Sequence, residues 1–258
     1  MADWISSRDN PWLKGLRRLA QDNQAYRQQG ELWLEGEHLV DAVVRHGQPV
    51  RTLVCAESHW PRLPASWQSL GDRQVLLPDA LFKAISGLES PAGVGVLLAL
   101  PASPQVAPGM ASVVLDRLQD AGNVGSIMRS AAALGFGQVI ALAGTAALWS
   151  PKVVRAGMGA HLALRLVEGV SADALSSLNL PILATSSHQG PFLHELSARG
   201  ELPHPAAWLF GHEGQGVSEA LLAQASLTVR IAQPGGQESL NVAAAAAICL
   251  HASAAMSL

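Results

Sequence analysis

Short apolar runs that alternate with helical or loop segments dominate the second half of this chain. Continuous apolar runs between helices are typical of the strands of a parallel sheet that helices cover on both faces. The sequence therefore predicts an α/β domain built on a parallel sheet. Its strand candidates are residues 113–115, 138–142, 164–167, 182–184, 207–210 and 227–231.

Three polar stretches with conspicuous glycine or polar residues follow strand candidates in this half. They are residues 120–129, 210–217 and 238–242. Ligands of open parallel sheets bind at the carboxyl ends of the strands. We therefore expect these three stretches to form the functional site.

In the first stretch, a glycine turn leads from a strand into a helix that is expected to run to Leu134 and end at Gly135. Asn123 is expected to cap this helix. Arg129 is a single cation on an otherwise small and apolar helix. It is either an ordinary surface residue or a charge placed for function.

The second stretch places Gly211, Gly214 and Gly216 around one carboxylate, that of Glu213. Glycines let the backbone approach a ligand closely, although a plain turn between strand and helix is the alternative. The glycine spacing does not match the dinucleotide fingerprint, which disfavours a nicotinamide dehydrogenase. No second histidine follows His212 at metal spacing, so we expect no metal site.

The third stretch leads into an alanine-rich helix that the sequence predicts over residues 240–250. Ser239 and Asn241 lie at its start. Their side-chain oxygens can help to hold a ligand, or they can simply cap the helix.

The first half of the chain predicts a smaller α/β domain over residues 1–100. Asn10 and Pro11 are typical of a helix start, and the leucines that follow have one-face spacing. Residues 101–109 contain three prolines and no apolar periodicity, which indicates a linker to a second domain at 110–258. Strand candidates of the first domain are residues 32–34, 50–54, 75–77 and 94–100, with helices beginning near residues 36 and 79.

The composition, with 258 residues of which 49% are hydrophobic and 14% charged, allows a sizeable core. The net charge of −3 argues against a nucleic-acid binder that works by a bulk positive field. Local clusters can still contact phosphates, although a solvated helix face explains them equally well. The candidate RNA-binding residues are Lys14, Arg17, Arg18, Arg27, Lys152 and Arg155.

Cys55 and Cys249 lack metal spacing and lie on apolar segments, so buried free thiols are expected. The apolar stretch at residues 243–250 is too short to span a bilayer, and no signal-peptide pattern begins the chain. We therefore expect a cytoplasmic protein without a membrane partner.

In this order, the three stretches resemble the motifs of the SpoU (TrmH-type) RNA 2'-O-ribose methyltransferases of the SPOUT superfamily. Residues 35–40 and 90–94 look like the family's N-terminal substrate-binding domain, and residues 150–160 look like the helix between its motifs. The resemblance implies a trefoil-knotted, parallel-sheet methyltransferase domain with a smaller N-terminal α/β domain. It also implies S-adenosylmethionine as cofactor, RNA as substrate and a homodimer. Ala121 departs from the pattern, because a proline is common there.

The resemblance also implies residue roles. In that family, the arginine that matches Arg129 is sometimes given the role of a base. Arginine is effectively always protonated, so we expect Arg129 to bind a phosphate and to stabilise the charge that develops on the ribose oxygen. Glu213 is a candidate proton acceptor, with a purely structural carboxylate as the alternative. The implied catalytic residues are Asn123, Arg129, Glu213, Ser239 and Asn241, and the implied cofactor-binding residues are Thr185, Gly211, Gly214, Ile231 and Leu240.

The implied reaction is methyl transfer from S-adenosylmethionine to a ribose 2'-hydroxyl in ribosomal or transfer RNA. A catalytically silent RNA-binding relative is the alternative, and such a protein would be expected to lose the polar motif residues. None of them is lost in this chain. A small-molecule methyltransferase is disfavoured, because it would not need the additional N-terminal domain.

Overall fold

The structure is a computed structural model that describes residues 2–235 and 239–256. Glu238, which belongs to the third motif, therefore lies outside the described residues. The strands are β1 (Asp3–Trp4), β2 (Glu31–Glu35), β3 (Val50–Ala56), β4 (Arg73–Leu77), β5 (Val94–Ala99), β6 (Ser112–Leu115), β7 (Gln138–Leu142), β8 (Arg165–Val170), β9 (Ile182–Thr185), β10 (Ala207–Phe210) and β11 (Leu227–Val229). The helices are α1 (Pro11–Gln21), α2 (Ala25–Gln29), α3 (Glu37–Arg45), α4 (Asp79–Ile85), α5 (Ala121–Ala133), α6 (Pro151–Gly157), α7 (Leu193–Ala198), α8 (Glu219–Leu222) and α9 (Val242–Ala255).

The chain forms two compact units that do not follow a single cut in the sequence. Unit 1 contains the described residues up to Ala102 together with Trp149–Leu162, and unit 2 contains Ser103–Leu148 and the described residues from Ala163 onward. Helix α6 belongs to unit 1 because it packs against α1 and β2. The division at residues 101–109 stays a prediction, and residues 105 and 107 within it bond to side chains of unit 2.

Unit 1 is a mixed five-stranded sheet with the order β1-β4-β3-β5-β2. Strand β4 runs parallel to β1 and β3, whereas β5 runs antiparallel to β3 and β2. Helix α1 begins as expected, because the Asn10 side chain accepts hydrogen bonds from the backbone N–H groups of Trp12 and Leu13. The leucines at positions 13, 16 and 19 are buried, so the predicted one-face spacing is confirmed.

Unit 2 is a six-stranded parallel sheet with the order β11-β9-β10-β6-β7-β8, which confirms the predicted fold class. The chain leaves β6 toward β7 and β8 on one side, and later returns to β9, β10 and β11 on the other. The topological switch point therefore lies between β6 and β10, where ligands of such sheets bind. The trefoil knot that the resemblance implies stays a prediction.

Helix α9 packs against α5 and against β10. The buried indole of Trp208 on β10 donates a hydrogen bond of 2.7 Å from Nε1 to the hydroxyl of Ser253 on α9. The helix begins two residues later than expected and continues to Ala255. The late start follows from Asn241, whose side chain accepts from the first backbone N–H groups of the helix.

Cys55 and Cys249 are free and buried, as predicted. Burial raises the pKa of each thiol to about 12, and the charge of Asp79 contributes to the shift at Cys55. Such thiols stay protonated at neutral pH and carry no nucleophilic role. Across the two described segments, helices are either too short or too polar to cross a bilayer.

Candidate active site

A cleft of about 870 Å³ opens in unit 2 beside the carboxyl ends of β9, β10 and β11. Cofactor sites typically measure roughly 300–1,000 Å³, so the cleft has room for a nucleoside-sized ligand. All five predicted cofactor-binding residues line it. The complete lining is Thr185, Ser186, Ser187, His188, Gln189, Gly211, His212, Glu213, Gly214, Gln215, Gly216, Val217, Leu222, Val229, Ile231, Gln233, Ser239, Leu240, Asn241, Val242 and Ala245.

Asp120 caps helix α5, so the expectation that Asn123 caps it was wrong. The Asp120 carboxylate accepts a hydrogen bond of 2.7 Å from the backbone N–H of Asn123. The helix starts three residues earlier than an Asn123 cap requires, and the carboxylate satisfies one of the free amides of its first turn. The side chain of Asn123 is therefore available for other contacts.

The carboxylate of Glu213 connects the second motif to the first. It accepts hydrogen bonds from the backbone N–H of Gln119 at 3.4 Å, from that of Asp120 at 3.2 Å and from the Asn123 amide at 3.2 Å. Partial burial raises the pKa of Glu213, but hydrogen bonds from its own backbone, Asn123, Asp120 and Gln119 outweigh burial and lower it. Glu213 is therefore ionised at neutral pH, and its oxygens are engaged by the protein.

Asn241 connects the third motif to the same group. Its side-chain amide donates a hydrogen bond of 3.0 Å to the side-chain oxygen of Asn123. Its own oxygen accepts from the backbone N–H groups of Ala243 and Ala244 and so caps α9. Ser239 does not cap the helix, and it lines the cleft instead.

The glycine-rich turn that carries Glu213 is closed by short contacts. The backbone N–H of Gly216 donates to the carbonyl of His212 at 2.8 Å, and that of Gly214 donates to His212 Nδ1 at 3.0 Å. A Cβ on Gly211 would collide with the backbone of Gly216 and Val217. Position 211 therefore requires glycine for a packing reason, since the turn folds directly back on it.

The loop after β9 contributes residues 186–189 to the lining of the cleft. Gly190 has a φ of +94°, and a Cβ there would collide with the backbone of Thr228. The guanidinium of Arg230 donates to the Gly190 carbonyl at 2.7 Å and lies 4.3 Å from the centre of the Phe192 ring. These contacts hold the loop against the end of β11.

Arg129 lies on the exposed surface of α5 and does not line the cleft. Its side chain has no hydrogen bond or ion pair to any residue in the described part of the chain. An uncommitted guanidinium is free to bind a phosphate bidentately.

All six candidate RNA-binding residues lie in unit 1, because α6 packs there. From the sequence alone, Lys152 and Arg155 were expected in the domain at residues 110–258, which carries the motifs. Unit 1 carries twelve lysine and arginine residues against eleven acidic ones, whereas unit 2 carries five against nine. The predicted RNA-binding residues are thus in the less acidic part of the protein. They are Lys14, Arg17, Arg18 and Arg27, which are exposed, Lys152, also exposed, and Arg155, which is half-buried.

Two residues at the end of β6 were missed by the sequence analysis. Asp116 is 3% exposed, and the guanidinium of Arg117 binds its carboxylate through two hydrogen bonds of 2.9 and 3.2 Å. Burial alone raises the pKa of Asp116, but the hydrogen bonds and charge of Arg117 and the hydrogen bonds of Ser218 lower it below its usual value. A charged pair directly after a buried strand was the available sequence signal.

The donor set of the site contains amides, hydroxyls, backbone groups and one carboxylate. Among the described residues, histidine, cysteine and acidic side chains do not gather in groups of three or more that could hold a metal ion. The arrangement is that of a sheet-edge site that binds an organic ligand through the backbone of glycine-rich turns. Fold and site together define a parallel-sheet α/β domain with a cofactor-sized cleft at the carboxyl ends of three neighbouring strands, β9, β10 and β11.

Residues 110–251 match the SpoU rRNA Methylase family, and residues 10–95 match the MRM3-like substrate binding domain. An uncharacterized tRNA/rRNA methyltransferase of Synechocystis is 32% identical, over 96% of this chain and 92% of its own. The 23S rRNA (guanosine(2553)-2'-O)-methyltransferase RlmP of Bacillus subtilis is 28% identical, over 84% of this chain and 86% of its own. The SpoU methyltransferase AviRb of Streptomyces viridochromogenes, solved with AdoMet, superimposes with a TM-score of 0.82 at 25% identity, over 96% of this chain and 98% of its own. The chain belongs to the SpoU rRNA Methylase family.

Proposed function

We propose that this chain transfers a methyl group from S-adenosylmethionine to the ribose 2'-hydroxyl of a nucleotide in ribosomal RNA. The observation that carries the proposal is the hydrogen-bonded series Glu213–Asn123–Asn241, which joins the three motifs at the wall of the cleft. The family of the chain and its relatives that methylate the 2'-oxygen of 23S rRNA support the same reaction.

The cleft fits S-adenosylmethionine in size and in chemistry. Its lining combines glycine backbone, hydroxyl groups and apolar side chains, and Glu213 is its one acidic residue among those described. The ligand carries a net positive charge, so a single carboxylate suits it electrostatically. Thr185, Gly211, Gly214, Ile231 and Leu240 are the residues that we propose hold it.

The cofactor supplies an already activated methyl group, so the protein must mainly place and stabilise the reacting groups. Glu213 orders the site, because a carboxylate with a lowered pKa and engaged oxygens is a weak base. Its hydrogen bond fixes the amide of Asn123. We assign Arg129 to the RNA phosphate and to the charge that develops on the ribose oxygen, and Ser239 to the cleft wall beside the reacting groups.

RNA recruitment is assigned to the basic residues of unit 1. Lys14 and Arg18 are only partly neutralised by ion pairs with Asp9 and Asp22, at 3.2 and 3.7 Å, on a solvent-exposed surface. Exposed pairs of this kind are weak, so phosphates can replace the carboxylates at little cost. The match of residues 10–95 to a substrate binding domain supports this assignment.

We also propose the homodimer and the cytoplasmic location that the sequence analysis predicted. The homodimer is proposed because the resemblance to the SpoU methyltransferases implies it. A catalytically silent relative remains the competing function. It is disfavoured because Asn123, Glu213 and Asn241 are not only retained but hydrogen-bonded to one another.

The test uses purified protein, S-adenosylmethionine and ribosomal RNA from a strain that lacks the gene. Calorimetry without RNA should show one cofactor site per chain with micromolar affinity, about −8 kcal/mol. Mass spectrometry of the nucleosides after reaction should show a 2'-O-methylated product. Cofactor binding without methyl transfer would support the silent relative instead.

A further inference from the structure

Two loops of unit 2 lie on either side of the switch point of the sheet. A carboxylate of each loop accepts hydrogen bonds from the backbone of the other loop. The loop after β6 contributes Asp116, which accepts a hydrogen bond of 2.9 Å from the backbone N–H of Ser218 in the loop after β10. The loop after β10 contributes Glu213, which accepts from two backbone N–H groups of the loop after β6. Each loop is thus held by a charge from the other.

Arg117 adds a third connection between the loops. Its guanidinium binds both oxygens of Asp116 and also donates a hydrogen bond of 3.1 Å to the side-chain oxygen of Gln215. Gln215 lies two residues beyond Glu213 in the same glycine-rich turn. The guanidinium therefore joins the buried end of β6 to the turn that carries Glu213.

The backbone of Arg117 is held in a conformation that suits this task. Its φ is +59°, in the left-handed region that residues other than glycine rarely adopt. Its N–H donates to the hydroxyl of Thr145 at 3.1 Å, and that hydroxyl donates to the Leu115 carbonyl at 2.9 Å. An unusual backbone conformation maintained by surrounding contacts is typical of functional sites.

We propose that Asp116 and Arg117 are positioning residues for methyl transfer, an inference that rests on the proposed function. Beyond their own ion pair, their side chains bind Ser218 and Gln215 through hydrogen bonds. Neither positioning residue lines the cleft. They fix the turn so that Glu213 meets the Asn123 amide at hydrogen-bonding distance. Without them, the turn keeps its own internal hydrogen bonds but loses its place relative to the loop after β6.

The substitutions that test this are Arg117→Gly and Arg117→Lys in the full-length protein. Glycine adopts the left-handed backbone without strain, so R117G removes the side chain while leaving the fold intact. Lysine keeps the charge but cannot bind Asp116 and Gln215 together. Arg199→Ala is the matched control, because it removes an exposed arginine of the same unit that is paired with Glu201 at 2.9 Å.

Both Arg117 variants should lower the methyl-transfer kcat by about tenfold or more, with cofactor affinity changed by less than about threefold. Gln215→Ala should lower kcat less than the Arg117 variants do. When it is added to R117G, kcat should fall no further, because the hydrogen bond between Arg117 and Gln215 is already gone. R199A should behave as the wild type. A wild-type kcat in R117G would overturn the proposal. So would a double variant in which the fold-losses in kcat of R117G and Q215A simply multiply.

A second readout does not depend on catalysis. Hydrogen exchange of the Gln119 and Asp120 amides, which donate to Glu213 across the two loops, should be about tenfold faster in R117G than in the wild type, and unchanged in R199A. Equal exchange in R117G and wild type would overturn the positioning role. If the wild type transfers no methyl group at all, the proposed function fails, and the exchange result alone decides the positioning role.

Discussion

The side-chain amide of Asn241 donates a hydrogen bond of 3.0 Å to the side-chain oxygen of Asn123, which lies 118 positions earlier in the chain. The same Asn241 side chain caps α9, and Asn123 in turn donates to Glu213. A single asparagine thus couples the start of the C-terminal helix to the first two motifs. The two functions of its amide can be separated by substitution.

Asn241→Ser should keep the cap and lose the bond to Asn123, because serine is a good N-cap residue but cannot donate from the same place. We expect urea unfolding of N241S to match the wild type within about 0.5 kcal/mol, while methyl transfer falls about tenfold or more. Asn241→Ala should lose the same activity and, because alanine cannot cap α9, about 1 kcal/mol of stability as well. Equal activity in N241S and wild type would show that the bond to Asn123 has no catalytic importance.

Arg129→Ala should lose methyl transfer by a factor that corresponds to about 3 kcal/mol or more in the barrier. Calorimetric cofactor affinity should barely change, because Arg129 does not line the cleft. Arg129→Lys is the more discriminating variant, since an ammonium group cannot replace a planar fork. Near-normal turnover in R129K would contradict bidentate phosphate binding.

Lys152→Ala combined with Arg155→Ala should weaken binding to ribosomal RNA and reduce its dependence on salt. Each lost phosphate contact lowers the magnitude of the slope of log affinity against log salt by about 0.7–0.9. The same loss is expected for Lys14→Ala with Arg17→Ala, whose side chains lie on α1 of the same unit. R199A serves as the control, and an unchanged slope in both double variants would place RNA recognition elsewhere.

Asp116→Asn should lower stability in a manner that depends on pH. The pKa of Asp116 is lowered in the folded state, so its ionisation contributes stability that is complete above the unfolded pKa of about 4. That contribution is lost as the pH falls below about 5 and through the folded pKa. Urea unfolding should therefore show D116N less stable by about 1–3 kcal/mol at pH 7, with a smaller gap at pH 3. If the difference in unfolding free energy between D116N and the wild type is the same at pH 7 and pH 3, the ion pair of Asp116 does not account for it.

The sequence predicted the parallel sheet, and its five candidate cofactor residues line the cleft, because both features follow from local patterns. Apolar runs define strands, and glycine-rich turns at strand ends define where a ligand can approach. The cap of α5 was assigned to the wrong residue, because Asp120 and Asn123 are both good capping residues and only the helix start decides between them.

Other features depend on contacts that no local pattern contains. The placement of α6 in unit 1 requires knowing which surface its buried Val153 and Val154 meet, and apolar spacing does not specify that. Asp116 and Arg117 form a pair whose partners, Ser218 and Gln215, lie about a hundred residues away. Their role becomes visible only when β6 and β10 are adjacent.

The most direct test of the central claim is a map of ribose methylation across ribosomal RNA from cells with and without the gene. We expect a 2'-O-methyl group that is present with the gene, absent without it, restored by the wild-type gene and not restored by R129A. Identical ribose maps with and without the gene, or a gene-dependent methyl group on a base instead of a ribose, would contradict the account.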